Sequence, residues 1–387
     1  MRILYLALDV QLSDTSAEGV HVLEVTRALA QRISLDLVVP KIHGNPQAAP
    51  GLKLPGIRLH SVDTTSDARC AKACEDIAKA GRSQVIYERR YSPKIGAAVS
   101  RTTRLPFILE VNGLPDVERE GLGRPPSGSW VTRRLKARIR RSLFARVSHV
   151  VAVTPGLANA VQARYKVPAE RITVVPNGAD VDFFRPMDPV AARTALGIPV
   201  DSRVACFVGS LVRWHGLHLL ARAAPDLLRE NPKLLFVIVG DGPEREGLVA
   251  EIQERGMAAN FRFTGQVGHD RVPTYINAAD VGLLPVDTSV FRVKYGSSAL
   301  KLYEYLACGR PVIAARYSGL EVLEEVDCGV LVNPADPREL AAAFRSVLHD
   351  EERRKAMGDR ARRVAVERYS WASVADRLLA VMRQASH

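Results

Sequence analysis

No stretch of this 387-residue chain comes near the ~18–20 consecutive apolar residues that a membrane-crossing helix needs, so a helical span is excluded. Nothing reads as HExxH or as a His/Cys cluster at ligand spacing, and no structural metal is implied. Cysteine is scarce, with only Cys70, Cys74, Cys206, Cys308 and Cys328. Their number is odd and their spacing irregular. Cys70 and Cys74 stand at i, i+4 on a predicted helix rather than as CxxC, so a reducing cytoplasm is the expectation. Low-complexity tracts and short tandem repeats are missing. No glycine loop matches the G-x-G-x-x-G dinucleotide fingerprint, and none carries the G-K-[ST] of a P-loop.

What remains is a soluble globular composition, 47% apolar and 25% charged, in a chain long enough for two domains with a core each. The opening MRILYLALDV meets Asp9 too early for the apolar core of a secretion signal and lacks a small-residue cleavage site. It reads as a first buried strand. Strand-like and helix-like runs then alternate. The pattern predicts strands over Ile3–Leu8, Ser34–Val39, Val85–Tyr87, Phe107–Val111 and Val150–Val153, and helices over Val20–Gln31 and Gly156–Tyr165. The strands are apolar throughout, as parallel strands covered on both faces are. Around RITVVPNGADVDFFRPMDP the pattern pauses. A short helix over Ala191–Leu196 follows, and a second series runs from VACFVGS through LLFVIVGDGP, FRFTGQV, VGLLPV, PVIAA and GVLV. The expected class is α/β, with two Rossmann-like doubly wound domains that divide somewhere in Asn177–Asp201. The chain closes on helical sequence, broken at Tyr369–Trp371 before Ala375–Met382.

Lys and Arg number 54 against 42 acids, a net charge of +12, which points to anionic partners. The excess concentrates in WVTRRLKARIRRSLFARV, where Arg133, Arg134, Lys136, Arg138, Arg140, Arg141 and Arg146 stand without an acid. Val131, Leu135, Ile139, Leu143 and Val147 recur every four residues, giving an amphipathic helix with a cationic back. Such a helix is either a solvated basic face or a surface that rests on an anionic membrane with Trp130 at the headgroup boundary.

Ligands in open α/β sheets bind outside the carboxyl ends of the strands, so the loops there carry the candidates. In DTSAEGVHVLE, Gly19 stands at a helix start where a phosphate or sugar could approach closely. His21 is either a polar site group or a helix-start residue facing solvent. In FVGSLVRWHG, Gly209, Ser210 and Arg213 suit an anion, against the plain alternative of a βα turn with an exposed arginine. VGDGPER brings Gly240 to a further such turn. SSALKLYEYLACGRPV sets Lys301 and Glu304 three apart, hence on one face of an otherwise apolar helix. That is either a surface ion pair or a site that holds an anion and a hydroxylated ligand together.

In order, VPNGADVDFF, FVGSLVRWHG, VGDGP, F-x-G, SSALKLYEYLACGRPV and GVLVNPADP resemble the retaining nucleotide-sugar glycosyltransferases of the GT-B type, the glycogen-synthase-like group that includes family 4. The resemblance implies GT-B architecture, two Rossmann-like domains facing a central cleft. Residues 1–185 would bind acceptor, 186–368 would bind the nucleotide sugar, and the helix of 369–387 would cross back to the first domain. It further implies that Glu304 binds the ribose hydroxyls, that Arg213 and Lys301 neutralise the diphosphate, and that Ser298, Ala299 and Leu300 present backbone N–H groups to the donor. Gly19, Gly209, Ser210 and Gly240 complete the donor set. The family's first glutamate, eight positions before Glu304, is Gly296 here, and its usual lysine before Gly216 is His215. Where many relatives carry a histidine near the reacting sugar, FILEVNGLPDVERE has Asn112, which hydrogen-bonds a hydroxyl but is no base near neutral pH. His21, Glu110, Asn112 and Glu118 are the acceptor-side candidates, and Arg213, Lys301 and Asn112 the catalytic ones; Asp116 is a further nearby carboxylate.

The expected reaction moves a sugar from a nucleotide diphosphate sugar, UDP preferred over GDP, to an acceptor hydroxyl with retention. It is expected to need no cofactor and no metal, since Asp180 and Asp182, the one Asp-x-Asp, fall in the NGADVDFF turn, which the resemblance makes structural. Front-face attack assisted by a phosphate oxygen is what the family implies. The charge and the Arg133–Arg146 helix favour a lipid-linked acceptor in cell-surface polysaccharide or glycolipid assembly, at the inner face of the cell membrane. The alternatives are a soluble glycosyltransferase acting on a small metabolite, or a non-catalytic nucleotide- or nucleic-acid-binding protein; no basic-aromatic motif supports nucleic acid as a partner. Acceptor choice is expected from the loops at Pro40–Pro55 and Gly113–Ser129.

Overall fold

The computed structural model describes residues 1–12, 16–41, 54–90, 92–114, 130–288 and 295–386. Contacts divide the chain into two units: Met1–Asn177 with Tyr295–Ser298 and Trp371–His387, and Gly178–Lys294 with Ala299–Ser370.

The first unit is built on a seven-stranded parallel sheet: β1 (Arg2–Leu6), β2 (Ser34–Pro40), β3 (Ile57–Val62), β4 (Val85–Arg89), β5 (Phe107–Val111), β6 (His149–Ala152) and β7 (Ile172–Val174). Their order, β3-β2-β1-β4-β5-β6-β7, reverses direction between β1 and β4, which makes that gap the switch point of a doubly wound sheet. Its helices are α1 (Ala17–Ala30), α2 (Asp67–Gly81), α3 (Lys94–Thr103), α4 (Trp130–Phe144) and α5 (Pro155–Tyr165). Helix starts follow local chemistry. Ser16 caps α1 by accepting from Gly19 N at 3.0 Å, and Thr154 caps α5 by accepting from Leu157 N at 3.1 Å, with Pro155 at the first position.

The apolar stripe of α4 departs from the pattern its spacing suggests. Val131, Leu135 and Ile139 are 54%, 57% and 51% exposed, and Trp130 is 64% exposed. Only the end of the helix enters the core, through Phe144, which stacks on Tyr165 with ring centroids 4.0 Å apart, and Val147 just beyond it. The periodicity was real, but over the first three turns no element among the described residues covers it.

The second unit carries a six-stranded parallel sheet: β8 (Arg203–Val208), β9 (Leu234–Val239), β10 (Phe261–Gly265), β11 (Val281–Leu284), β12 (Val312–Ala315) and β13 (Gly329–Val332). The order β10-β9-β8-β11-β12-β13 again reverses beside the first strand, between β8 and β11. Around it lie α6 (Pro189–Leu196), α7 (Leu217–Glu230), α8 (Arg245–Glu254), α9 (Val272–Ala278), α10 (Leu300–Ala307), α11 (Val322–Glu325), α12 (Pro337–Leu348) and α13 (Glu351–Arg368). One core joins Phe207, Phe236, Ile238 and Leu283 to Leu220, Leu227 and Phe344 of α7 and α12. Another gathers Leu302, Tyr305 and Leu306 of α10 against Leu284, Ala314 and Ala361. After a break at Tyr369 and Ser370, α14 (Trp371–Ala385) belongs to the first unit. There it packs on α1, and Asp376 accepts from Arg32 Nε at 2.8 Å.

Candidate functional site

In the second unit, the loops that leave β8, β9 and β10 are stitched to one another by backbone bonds. Gly209 N donates to Val239 O, Leu211 N to Asp241 O, Glu244 N to Leu211 O and Gly240 N to Gly265 O, at 2.9–3.0 Å. The β11 loop joins them, with Asp287 N donating to Trp214 O at 3.0 Å. This cluster requires glycine at two positions. Gly209 holds φ +140° and Gly240 φ +132°, and a side chain on Gly240 would collide with the Gly209 carbonyl.

The α10 helix is delivered to the same place. Leu302, Tyr303, Tyr305, Leu306 and Ala307 are buried, which leaves Lys301 and Glu304 together on its partly exposed side. Two locks fix its position: Tyr305 Oη accepts from Val208 N at 2.8 Å, and Arg362 Nη1 donates to Ala307 O at 2.9 Å. The Lys301 ammonium then lies 4.4 Å from the centroid of the Phe207 ring. It sits so close to the Gly209 backbone that a Cβ on Gly209 would fall 2.5 Å from Nζ. Nζ is buried and has no hydrogen-bond partner among the described residues. Burial pushes Lys301 down to about 8, with Glu304 opposing, and pushes Glu304 up to about 7, with Lys301 opposing. No side chain caps α10 at Ala299, so its first amides are also unclaimed by a cap.

The other donor-side candidates are distributed unevenly. Ser210 is exposed and its carbonyl meets His215 Nδ1, while Arg213 is exposed, with Nη1 3.7 Å from Glu244. Gly209, Ser210, Arg213, Gly240, Ala299, Leu300, Lys301 and Glu304 all lie in the second unit, on the β8 and β9 loops or on α10. Ser298 belongs to the first unit: its hydroxyl accepts from Asn177 N at 2.8 Å and its carbonyl from Asn177 Nδ2 at 2.6 Å. Its hydroxyl and its carbonyl therefore both hold Asn177. Gly19 is likewise in the first unit, and its amide is already taken by Ser16. Asp180 closes a turn, its carboxylate accepting from Asp182 N and Phe183 N at 3.0 Å.

In the first unit, a charged cluster lies on one face of the sheet at the carboxyl ends of β4 and β5. Strand alternation brings Tyr87, Arg89 and Glu110 to that face, and α1 lays His21 over it. Glu110 is 2% exposed and His21 4% exposed. Glu110 Oε2 accepts from Tyr87 Oη at 2.5 Å. Oε1 accepts from Asn112 Nδ2 at 2.5 Å and lies 2.8 Å from His21 Nε2 and 3.8 Å from Arg89 Nε. Burial alone would raise its pKa; His21, Arg89 and Tyr87 outweigh that and hold it down to about 2. On the opposite face Glu88, also buried, has one bond from Gly96 N at 3.0 Å, and burial pushes it up to about 8. One buried glutamate is thus charged at neutral pH and its neighbour is not. Glu118, Asp116 and most of the acceptor loops, residues 42–53 and 115–129, lie outside the described residues.

Sequence reasoning missed Phe207, Tyr305, Tyr87 and Arg89. The first three read as core aromatics, and no local pattern reveals that a lysine, a strand amide or a glutamate will reach them. Arg89 follows Glu88 in YERR, a charged run that reads as the end of a strand.

Comparison with known proteins gives a consistent result. Residues 19–183 match the family described as Glycosyltransferase Family 4, and residues 191–364 match Glycosyl transferases group 1. The D-inositol 3-phosphate glycosyltransferase 1 of Catenulispora acidiphila is 30% identical over 317 residues, 79% of this chain and 73% of that relative. The D-inositol 3-phosphate glycosyltransferase of Thermobispora bispora is 27% identical over 399 residues, 96% of this chain and 90% of that one. Among solved structures, Anabaena HepE in complex with UDP superposes with a TM-score of 0.77 at 19% identity, covering 99% of this chain and all of that one.

Proposed function

Because the chain belongs to the GT-B glycosyltransferases of family 4, we propose that it transfers a sugar from a nucleoside diphosphate sugar, UDP before GDP, to an acceptor hydroxyl with retention at the anomeric carbon. The observation that carries this reading is Lys301, a buried ammonium with no hydrogen-bond partner among the described residues, beside Gly209 and the uncapped start of α10. A buried ammonium beside free-facing helix amides suits an anion, and a diphosphate is one. Glu304, one turn on, takes the ribose hydroxyls, and Arg213 swings from Glu244 to the phosphates. A fold neighbour that holds UDP is in keeping with the nucleotide.

In the proposed step the bond from C1 of the sugar to the diphosphate oxygen breaks and the acceptor oxygen bonds to C1 on the same face. The acceptor proton passes to the departing phosphate oxygen, and the nucleoside diphosphate leaves. Negative charge grows on the leaving oxygens, so the preorganised ammonium and amides stabilise the transition state more than the ground state. No side-chain nucleophile is invoked, and because Lys301 and the amides meet this charge we propose that no metal is required. Incubating the protein with UDP-glucose, UDP-N-acetylglucosamine and GDP-mannose should release nucleotide, and Glu304→Ala should abolish most of it. No release from any donor, or release indifferent to Glu304→Ala, would remove the reading.

Two readings of the acceptor each have an observation behind them. The relatives named for D-inositol 3-phosphate favour a small hydroxylated metabolite. The exposed apolar stripe of α4, on a helix with six basic residues between Arg133 and Arg141 and no acid, favours a lipid-linked acceptor at an anionic membrane surface. The second reading predicts sedimentation with phosphatidylglycerol-containing liposomes at low salt, reversed by high salt. Leu135→Glu with Ile139→Glu should weaken it by tenfold or more, on the order of 1 kcal/mol for each charge brought to an anionic apolar boundary. Equal partitioning onto neutral and anionic liposomes, or none, would leave the metabolite reading alone.

A further inference from the structure

A carboxylate that is charged, fully buried and surrounded by donors is costly to build into the end of a strand, and Glu110 is such a group. Ionised, it can only accept hydrogen bonds. That has a consequence for its neighbour. The side-chain amide of Asn112 meets Oε1 of Glu110, so the group facing inward must be Nδ2, which donates at 2.5 Å. The reverse orientation would press the amide oxygen against a carboxylate oxygen. Asn112 is partly exposed, and its Oδ1 is therefore turned away from the cluster, where no described donor reaches it.

Resting on the transfer reading above, we infer that Glu110 is a positioning residue: with His21 and Tyr87 it locks the Asn112 amide so that Oδ1 faces outward and accepts a hydrogen bond from a sugar hydroxyl. The ligand class follows from the charges. An outward carbonyl oxygen backed by a carboxylate attracts an O–H donor and repels a phosphate or carboxyl group. Asn112 therefore selects a neutral hydroxyl at this point, and the anionic parts of the substrates must lie elsewhere. His21 and Glu110 act behind that contact rather than in it, since both are buried and Tyr87, Asn112 and His21 already crowd the carboxylate oxygens.

The orientation can be read without turnover. In ¹H–¹⁵N spectra of the full chain, the Asn112 side-chain amide is assigned as the signal pair lost in Asn112→Ala. One of its protons should be shifted downfield and protected from exchange. Glu110→Gln, whose amide can present either an oxygen or an N–H, should release it: the shift should return towards ordinary asparagine values and exchange should quicken. If that variant does not fold, Glu110→Asp, which withdraws the carboxylate by one methylene, should give the same release. An amide pair unchanged in a folded variant would overturn the inference.

Nucleotide release from the best donor of the panel gives a second readout. Glu110→Gln and Asn112→Ala should each lower kcat/KM by about tenfold, and the double variant should fall no further than either alone. Additive losses would overturn the coupling. Should the wild-type protein release no nucleotide from any donor, the transfer reading fails while the amide signal still decides the inference.

Discussion

Lys301→Met is expected to reduce kcat/KM roughly 10²–10³-fold while the melting temperature stays equal or rises. The two effects have opposite signs because the same fact underlies both. In the free protein the Lys301 ammonium is buried, has no hydrogen-bond partner among the described residues, and lies against the Phe207 ring and Gly209. A methionine of similar length fills that space without the desolvation cost, which is worth about 1–3 kcal/mol for a buried polar group left unsatisfied. The reaction loses the cation that meets the departing diphosphate. A residue kept only for packing would show the reverse pairing, a lower melting temperature with activity following it. Thermal unfolding of the free protein, measured beside steady-state nucleotide release, separates the two. A variant that is destabilised and still turns over would sink the assignment.

The architecture was legible because a doubly wound sheet writes itself into the chain as short, wholly apolar strands. Phe107–Val111 is found where its pattern places it, and the second series of strands starts at VACFVGS as β8 does. Errors collected where charge interrupts apolarity. The pattern ends the fourth strand at Tyr87, yet β4 runs on through Glu88 and Arg89, both buried. Glu88 is accommodated by Gly96 N and by staying protonated, and Arg89 lies beside Glu110 across the sheet register. Partners that arrive from another element leave no trace in the local sequence. The first helix begins at Ala17 rather than Val20 because the Ser16 hydroxyl captures the Gly19 amide as a cap.

The candidate site divides the same way. The spacing of Lys301 and Glu304 put both on one helix face, and the fold carries that face to the loops after β8 and β9. Spacing could not show that Lys301 is left without a partner, since this depends on Gly209, Phe207 and the lock from Tyr305 to Val208. Around Asn112, sequence reasoning treated Glu110, Asp116 and Glu118 as equivalent carboxylates. The packing of His21, Tyr87 and Arg89 gives Glu110 its place, while Asp116 and Glu118 lie outside the described residues. For α4, a period of four residues fixed which side is apolar and said nothing of whether anything covers it.

The pair on α10 makes its own pH dependence. Donor binding as proposed needs Glu304 ionised, to accept from the ribose, and Lys301 protonated, to meet the diphosphate. Burial pushes Glu304 up from 4.5 to about 7 and Lys301 down from 10.5 to about 8. The plot of kcat/KM against pH should therefore be a narrow bell, with limbs near those two values that belong to the pair in the free protein. Glu304→Gln should remove the acid limb and lower the plateau by about tenfold or more, because a neutral amide is the weaker acceptor. Lys301→Met should remove the alkaline limb. Stability runs by the same linkage. Glu304, raised by folding, contributes fully below 4.5 and loses that contribution as the pH rises through about 7. Lys301, lowered by folding, contributes above 10.5 and loses it as the pH falls through about 8. Between the two limbs the free protein holds both charges at a cost that bound nucleotide relieves. Saturating UDP should accordingly raise the melting temperature most in that interval and least at pH 5 and pH 10. A shift independent of pH, or a broad activity plateau unchanged by either substitution, would remove this pair from the nucleotide site.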